Sequence, residues 1–304
     1  MNTSPTILRL AFAALLLLVG SACDLQKIGN QAAARTVAVS TLLTTPAVEV
    51  KGAAIAGNGF DAGLPSIDAG LLFDAGVFLD DAGFTIPAQN LAFVFFGKRQ
   101  GDSPDSAPVG TAGASAKLIE VGGPSFALDD QGGGAYALSP DAGFVYRPNA
   151  TYQFEFQHAA QTYTAEVEQV PAKETIDQFH PAAGYVELNA GESMSFIRPD
   201  PPQGMNRNFG FVNVIPISNE GAQGQPTYTN IPTTPLGFLK LLLAPTDWIG
   251  TNVVIPGTAF PNPDSNYIVV LQSAKLGGPK TDNLFSGSAI LAGTADVAII
   301  KTRK

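Results

Sequence analysis

The sequence predicts an all-β protein, built as two Ig-like or Greek-key β-sandwich domains that follow a cleaved signal peptide. Charged residues make up only 14% of the 304 residues, and the chain contains 32 glycines and 23 prolines. Sparse charge with many turn-forming residues is typical of β-rich proteins. Several segments also alternate apolar and polar residues with period two, as strands do when one face lies in a core.

We divide the chain into five parts on composition and pattern. Pro171 and Pro181 interrupt the strand rhythm, and 173–178 between them is polar enough to form one helical turn. The parts are a signal peptide (1–22), a lipidated tether of small and polar residues (23–35), a first sandwich (36–172) with an Asp-Ala-Gly-rich insertion (58–85), a linker (173–184) and a second sandwich (185–304).

The strongest strand pattern lies in the first sandwich. Residues 152–157 alternate aromatic and polar side chains, and 162–168 alternate polar side chains with Tyr163, Ala165 and Val167. A short turn separates the two segments, so they predict an antiparallel hairpin with one solvated face. Upstream, Leu91 to Phe96 is continuously apolar and predicts a core strand.

Part of the first sandwich resembles the transthyretin-like or carboxypeptidase-regulatory-like family. The resemblance rests on the strand of small and aliphatic residues from Ala114 to Val121, on the glycine turn at 132–134 before Tyr136, and on the aromatic hairpin. It covers about a third of the chain. It implies a Greek-key sandwich and no particular activity.

In the second half we predict seven short strands, separated by turns that contain Pro, Gly and Asn. This pattern is typical of β-sandwiches. They are Tyr185–Leu188, Met194–Ile197, Phe209–Ile217, Phe238–Leu243, Val253–Ile255, Tyr267–Leu271 and Val297–Ile300.

Asp-Ala-Gly recurs within the insertion. Copies start at Asp61, Asp68, Asp74 and Asp81, and a fifth starts at Asp141. A calcium-loaded solenoid needs a stricter nonapeptide repeat with paired glycines, which this sequence lacks. We therefore favour a low-complexity segment rich in turns, since Asp and Gly both suit tight turns. A projecting hairpin formed by the apolar residues between the copies stays open.

The N-terminus carries a recognisable export pattern. Arg9 precedes an apolar run from Leu10 to Val19, and Gly20-Ser21-Ala22 leads to Cys23, the only cysteine of the chain. The run is too short to span a bilayer, which takes roughly 20 apolar residues. The pattern resembles a bacterial lipoprotein signal peptide. An ordinary secretory signal, or an uncleaved N-terminal anchor with an incidental cysteine, is the alternative.

The resemblance implies cleavage before Cys23, a diacylglyceryl group on its thiol and an acyl chain such as palmitate on its amine. Two or more lipid chains anchor a protein stably. The expected location is the bacterial cell envelope, with the outer membrane favoured over the inner. Asp24 resembles the inner-membrane retention signal of some Gram-negative lipoproteins, so the choice of membrane stays open.

The net charge limits the classes of partner that we expect, and the cysteine content limits how the mature fold can be stabilised. The formal net charge is −9, which gives no overall electrostatic attraction to nucleic acid or to an anionic membrane. We therefore expect membrane attachment through the lipid on Cys23 and no nucleic-acid partner. With no cysteine beyond Cys23, the mature fold must be stable without an internal disulfide.

Histidines and paired carboxylates offer little evidence for catalysis. His158 and His180 are far apart in sequence and too few for a catalytic zinc site, which takes about three protein ligands. Glu166 and Glu168 would project from one face at a spacing that suits an inverting glycosidase, about 6.5 Å or more. That face is the polar one, so we favour ordinary surface glutamates. Serine-hydrolase and phosphate-binding glycine motifs are absent from the sequence.

Two further residues carry side chains that suit binding. Asp264 lies in an Asn- and Asp-rich loop, 262–266, that suits either a calcium site or an Asx turn, and we favour the turn. Trp248 could stack on a sugar ring, although core-edge packing is the commoner role beside prolines.

The sequence thus predicts a lipid-anchored, non-catalytic envelope protein that serves in binding, adhesion or structure, with no cofactor and no metal. Its protein or glycan partner is unknown. The alternative is a secreted or anchored hydrolase or carbohydrate-binding protein that uses Glu166, Glu168, Asp264 and Trp248.

Overall fold

The fold is taken from a computed structural model, which describes residues 25–51, 83–86, 88–100, 108–139, 141–203, 206–217, 224–231, 241 and 245–304. Residues 1–24, including Cys23, lie outside the described residues, as do the first four Asp-Ala-Gly copies apart from Gly83 of the fourth. Of the predicted strand Phe238–Leu243 only Leu241 is described, and it is helical rather than extended. Asp141, the fifth copy, is described and lies in a turn that the Ala142 amide closes on the Ser139 carbonyl.

The described chain is all-β, which confirms the predicted fold class. Within the described ranges it forms one helix of nine residues, α1 (Leu25–Ala33), and short 3₁₀ turns at Asp177–Phe179, Pro245–Asp247 and Gly257–Ala259. Its seventeen strands are β1 (Thr36–Thr45), β2 (Val48–Lys51), β3 (Gly83–Ile86), β4 (Gln89–Lys98), β5 (Val109–Gly110), β6 (Ser115–Glu120), β7 (Ser125–Gly132), β8 (Ala135–Leu138), β9 (Tyr152–His158), β10 (Gln161–Val167), β11 (Val186–Asn189), β12 (Met194–Ile197), β13 (Phe209–Ile217), β14 (Tyr228–Thr229), β15 (Asn252–Ile255), β16 (Asn266–Pro279) and β17 (Ala289–Arg303).

Nine strands of the main sheet close into a ring. Pairing runs in the order β17-β1-β4-β8-β7-β6-β9-β10-β16, and β16 pairs again with β17. The predicted hairpin is confirmed as β9–β10, with Tyr152 opposite Val167. Alternate residues of β4, β6, β9 and β10 are buried inside the ring, where Phe96 stacks on Phe156 with ring centroids 4.8 Å apart. The first hydrophobic core therefore fills the inside of this ring.

A second core lies along the other half of the long hairpin β16–β17. There β13 pairs with β16, β11 pairs with β17, and the small sheet β12–β15 packs against them. Phe196 of β12, Val214 of β13 and Val269 of β16 are buried together in this cluster. The strands β12 and β13 have the bounds that the sequence predicts.

Strand β17 of the hairpin β16–β17 belongs to both cores. Ile290 and Ala292 of β17 lie in the first cluster, whereas Ala298 and Ile300 of the same strand lie in the second. These strands extend well beyond the predicted segments Tyr267–Leu271 and Val297–Ile300. One continuous sheet therefore runs through both halves of the chain, and the division into two separate Ig-like sandwiches stays a prediction.

The predicted tether is partly folded. Residues 25–33 form α1, whose Gln31 is buried and donates from its amide nitrogen to the carbonyl oxygens of Pro279, at 3.3 Å, and Thr281, at 3.2 Å. The Ser286 amide donates in return to the Gln31 carbonyl. Residues 25–33 of the predicted tether are therefore helical, and hydrogen bonds to residues far along the chain fix the end of α1 to the ring.

The insertion begins and ends on paired strands. Lys51 of β2 lies opposite Gly83 of β3 in an antiparallel ladder that runs back to Val48 and Ile86. The chain therefore leaves the described fold after residue 51 and re-enters it at residue 83, and these two residues are paired neighbours.

The turn between β9 and β10 has an unusual composition. Ala159 and Ala160 both adopt positive φ, 50° and 61°, and His158 pairs with Gln161 across them. Two-residue hairpins of this type normally use Asn-Gly, because L-residues with a Cβ are strained in the left-handed region.

We expect the double change Ala159→Asn and Ala160→Gly to raise the free energy of unfolding by about 1 kcal/mol, because it relieves this strain. Denaturant unfolding measures the effect. The control is Ala127→Gly in β7, at an exposed position without positive φ, which should lower stability by about 0.5–1 kcal/mol. Equal destabilisation by both changes would contradict the strain argument.

Candidate functional site

The sequence-predicted site residues do not converge. Glu166 lies on the outer face of β10, where it pairs with Lys280 and accepts a hydrogen bond from Gln153, and Glu168 is exposed beyond the end of that strand. Asp264 precedes β16, whereas Glu166 lies opposite Gly278 near the end of β16. Twelve residues of extended strand separate these ends by about 40 Å.

Trp248 is a core residue rather than an exposed stacking surface. Its side chain packs in a cluster with Phe211, Leu241 and Ala274, and only 8% of the residue is exposed. The indole N–H donates to the Asn230 carbonyl at 2.8 Å. Trp248 therefore has the packing role and not the stacking role.

The loop that contains Asp264 forms a tight turn. Asp264 has φ of 50°, and the Ser265 hydroxyl donates to the Pro263 carbonyl at 3.0 Å. The Ser265 amide donates to Thr302 Oγ1 at 3.0 Å, which ties the turn to β17. These contacts support the turn interpretation of this loop.

The most connected group of charged residues lies at a place that the sequence did not indicate. Asp296, on β17, is fully buried and meets three donors. Lys173 Nζ lies 3.0 Å from Oδ1, the Ile176 amide donates to Oδ2 at 2.8 Å, and Nε2 of His180 lies 3.0 Å from both oxygens. One carboxylate thus holds the whole segment 173–180 against the sheet.

A second ion pair lies beside it. Arg198, whose side chain is fully buried, binds Glu174 in bidentate geometry, with Nε and Nη2 both 2.8 Å from the carboxylate oxygens. Its remaining contacts are backbone carbonyls, Trp248 at 3.0 Å and Asn208 at 2.9 Å. Ser273 of β16 donates to the same Glu174 carboxylate at 2.7 Å.

Gly210 makes room for the guanidinium. A Cβ at this position would lie 2.6 Å from Arg198 Nη1, so only glycine lets the side chain lie flat on β13. Gly210 pairs with Ser273, and Ser273 pairs with Thr294, so these three positions form one row across the sheet. The guanidinium therefore occupies the space that a side chain of β13 would otherwise fill.

We call these residues the polar seam: Lys173, Glu174, His180, Arg198, Ser273 and Asp296. The seam lies on the face of β16–β17 that both cores share, between Ala292 of the first core and Ala298 of the second. It connects the predicted linker to both strands of the hairpin. Its contacts hold the segment 173–180 and the Arg198 side chain against this hairpin.

The Asp296–His180 pair has one feature of catalytic triads, a carboxylate that orients an imidazole. Nucleophilic catalysis also needs a hydroxyl or thiol in reach of the other ring nitrogen. Within the described ranges, no hydrogen bond joins His180 to such a group. Here the pair acts with Lys173 and the Ile176 amide as a structural contact.

A shallow cavity of about 510 Å³ lies at the β9–β10 turn. Its lining comes from 113–115 and 157–162, and it includes His158 but no carboxylate. The described residues contain no group of three or more His, Cys, Asp or Glu side chains placed to hold a metal ion. Nor do the described ranges contain a helix with the length and hydropathy needed to cross a bilayer.

Comparison with known proteins adds little. No protein-family model and no curated protein matches the chain. Among solved structures it is similar to domains 4 and 5 of the S-layer protein SbsC, at 11% identity over 83% of this chain and 98% of that chain, with a TM-score of 0.17. A TM-score this low supports no conclusion about the fold or the function of this chain.

We expect Glu174→Gln to lower the free energy of unfolding by about 2–3 kcal/mol, because the buried Arg198 guanidinium loses its compensating charge. The expected loss is smaller than for a fully buried ion pair, because 13% of the Glu174 side chain is exposed. Glu168→Gln, at an exposed position, is the matched control and should change stability by less than about 0.5 kcal/mol. Equal effects in denaturant unfolding would rule out a stabilising seam.

The environment of Glu166 predicts that the free energy of unfolding depends on pH. Burial disfavours its charged form, but hydrogen bonds from Lys280 and Gln153 and the charges of Lys280 and Lys27 outweigh that effect and hold the pKa of Glu166 below its ordinary value of 4.5. Since a depressed pKa in the folded state stabilises at higher pH, this contribution is complete above pH 4.5 and is lost as the pH falls below it.

The test compares wild type with Glu166→Gln in denaturant unfolding from about pH 6 to about pH 3. The stability difference between the two proteins should shrink as the pH falls. A difference that stays constant across this range would show that Glu166 contributes no pH-dependent stability.

Proposed function

We propose that this protein is a lipoprotein of the bacterial cell envelope and that it serves there as a non-catalytic binding, adhesion or structural module. The observation that carries the proposal is the position of Cys23. The only cysteine of the chain follows Gly20-Ser21-Ala22 and an apolar run of export-signal length. Lipid on this residue would supply the attachment to the membrane.

The start of the folded chain fits such an anchor. α1 begins at Leu25, and Gln31 is already hydrogen-bonded to the ring. From residue 23 to residue 31, an extended chain reaches at most about 28 Å. An anchor on Cys23 would therefore hold the ring close to the bilayer, with the end that carries α1 towards the membrane.

The non-catalytic role is supported by how the fold uses its charged residues. Asp296, Glu174 and Glu166 each bind cations or amides that hold strands and segments together. A hydrolase of the alternative type would need Glu166, Asp264 and Trp248 to approach one substrate, and they lie on different parts of the fold. We place the protein in the outer membrane in preference to the inner, with a protein or glycan as partner.

Cell fractionation tests the anchor. We expect wild type in the membrane fraction, with a mature N-terminus that carries diacylglyceryl and acyl groups on Cys23 by mass spectrometry. Cys23→Ala should appear in the soluble fraction, because a chain without lipid has lost the proposed attachment. Ser21→Ala, next to the cleavage site, is the control and should stay membrane-bound. An unmodified Cys23 in membrane-bound protein would refute the proposal.

A further inference from the structure

The outward-facing residues of the ring differ in chemistry from one side to the other. In the hairpin β9–β10 the positions between the buried aromatic residues are polar, with Glu155 opposite Thr164. Lys117 of β6 pairs with Glu155 on the same outer face. The strands β6, β9 and β10 therefore carry mainly polar side chains outside, which we call the polar arc: Ser115, Lys117, Gln153, Glu155, Gln157, Thr162, Thr164 and Glu166.

The opposite side of the ring is apolar outside. Ala38 of β1, Val94 of β4 and Ile290 of β17 lie in the first core, so the positions that alternate with them face outward. Strand register places the outward positions in two rows, Ala137-Phe93-Thr41-Leu291-Leu276 and Ala135-Phe95-Val39-Ala289. We call the residues of these two rows the apolar arc.

The apolar arc is open at its centre. Val39 is 47% exposed and Phe93 is 40% exposed, whereas the other members are half-buried. On one side Leu291 packs against the cluster that contains Trp248, so that side is partly covered. Neighbouring exposed apolar residues on several strands mark an interaction surface more often than an ordinary solvated face.

The start of the chain lies beside this surface. Glu166 pairs with Gly278 of β16, next to Leu276 on the same outer face, and the charge of Lys27 is close enough to lower the pKa of Glu166. Cys23 precedes Lys27 by four residues, which reach at most about 14 Å when extended. Val39 is three residues into β1, about 10 Å from the start of that strand. Lipid on Cys23 would therefore bring a bilayer within reach of the apolar arc.

We propose that the apolar arc lies on the surface of the lipid bilayer, with Val39 and Phe93 in contact with the acyl-chain boundary. The inference rests on the proposed function, because lipid on Cys23 brings this side of the ring to the membrane. Apolar side chains bind at a bilayer surface in proportion to the apolar area that they remove from water. The polar arc, on the opposite side of the ring, stays in water.

The first experiment attaches the protein to vesicles by a defined route. Cys23 is the only cysteine, so the mature chain, residues 23–304, couples through this thiol to a maleimide phospholipid in phosphatidylcholine vesicles. Phe93→Trp adds a fluorophore within the apolar arc, and brominated acyl chains quench tryptophans that contact them. We expect quenching at least about twofold greater than in the unsubstituted protein, whose only tryptophan, Trp248, is buried.

The matched control places the same side chain on the polar arc. Gln157 is exposed there, and it lies at a similar height in the ring because its neighbour Phe156 stacks on Phe96. Gln157→Trp should be quenched no more than the unsubstituted protein. Equal quenching at the two positions, or no added quenching of Phe93→Trp, would overturn the proposal.

A charge within the apolar arc gives a second variant. Val39→Asp in the Phe93→Trp protein should return the quenching to the level of the unsubstituted protein, because a carboxylate is costly to bury against acyl chains. Gln157→Asp in the same background is the control and should leave the quenching unchanged. The contact needs no attraction between charges, so the quenching should persist at high salt. Loss of quenching at high salt would contradict an apolar contact.

Other occupants of the apolar arc give different results in the uncoupled protein. We expect a monomer in sedimentation velocity, and we expect acrylamide in water to quench the tryptophan of Phe93→Trp. A dimer that Phe93→Asp dissociates would assign the surface to a second copy. A tryptophan that acrylamide cannot reach in the monomer would assign it to another part of this chain, and either result would overturn the proposal.

Failure of this proposal is distinguishable from failure of the lipid anchor. The maleimide coupling does not depend on natural lipidation of Cys23, whereas the mass of the N-terminal peptide from cells tests that lipidation directly. Quenching of Phe93→Trp at the level of Gln157→Trp would therefore overturn the bilayer contact and leave the lipid anchor standing.

Discussion

The pairing of β16 with β17 is the constraint on which the rest of the structure depends. Twelve residue pairs run from Asn266–Lys301 to Gly277–Ile290, and one face of this ladder lines both hydrophobic cores. Two glycines allow the neighbouring backbones to approach. A Cβ on Gly277 would lie 2.1 Å from the Glu166 carbonyl, and one on Gly293 would lie 2.2 Å from the Ser273 carbonyl. Because β17 contributes buried residues to both cores, loss of this ladder would disrupt both.

The position of the polar seam between the two cores explains its role in the fold. The bidentate contact of Arg198 with Glu174 and the three donors on Asp296 offset the cost of taking these charges out of water, but such pairs rarely add much net stability. Their geometric demands are stricter than those of an apolar contact. Hydrophobic packing alone would allow several arrangements of the segment that carries Lys173 and His180 on the sheet. Charged partners at fixed positions favour one of these arrangements.

The local sequence pattern predicted much of the fold but little of the polar seam. The hairpin of Tyr152 and Tyr163, and the strands Met194–Ile197 and Phe209–Ile217, follow from alternation or from continuous apolar runs that neighbouring residues alone reveal. The full length of β17 was missed because Gly293, Asp296 and small residues interrupt its apolar pattern. An acidic residue directly before the apolar run 297–300 was the one available sign of a buried charge. Its partners, more than a hundred residues earlier, become visible only when the sheet brings them together.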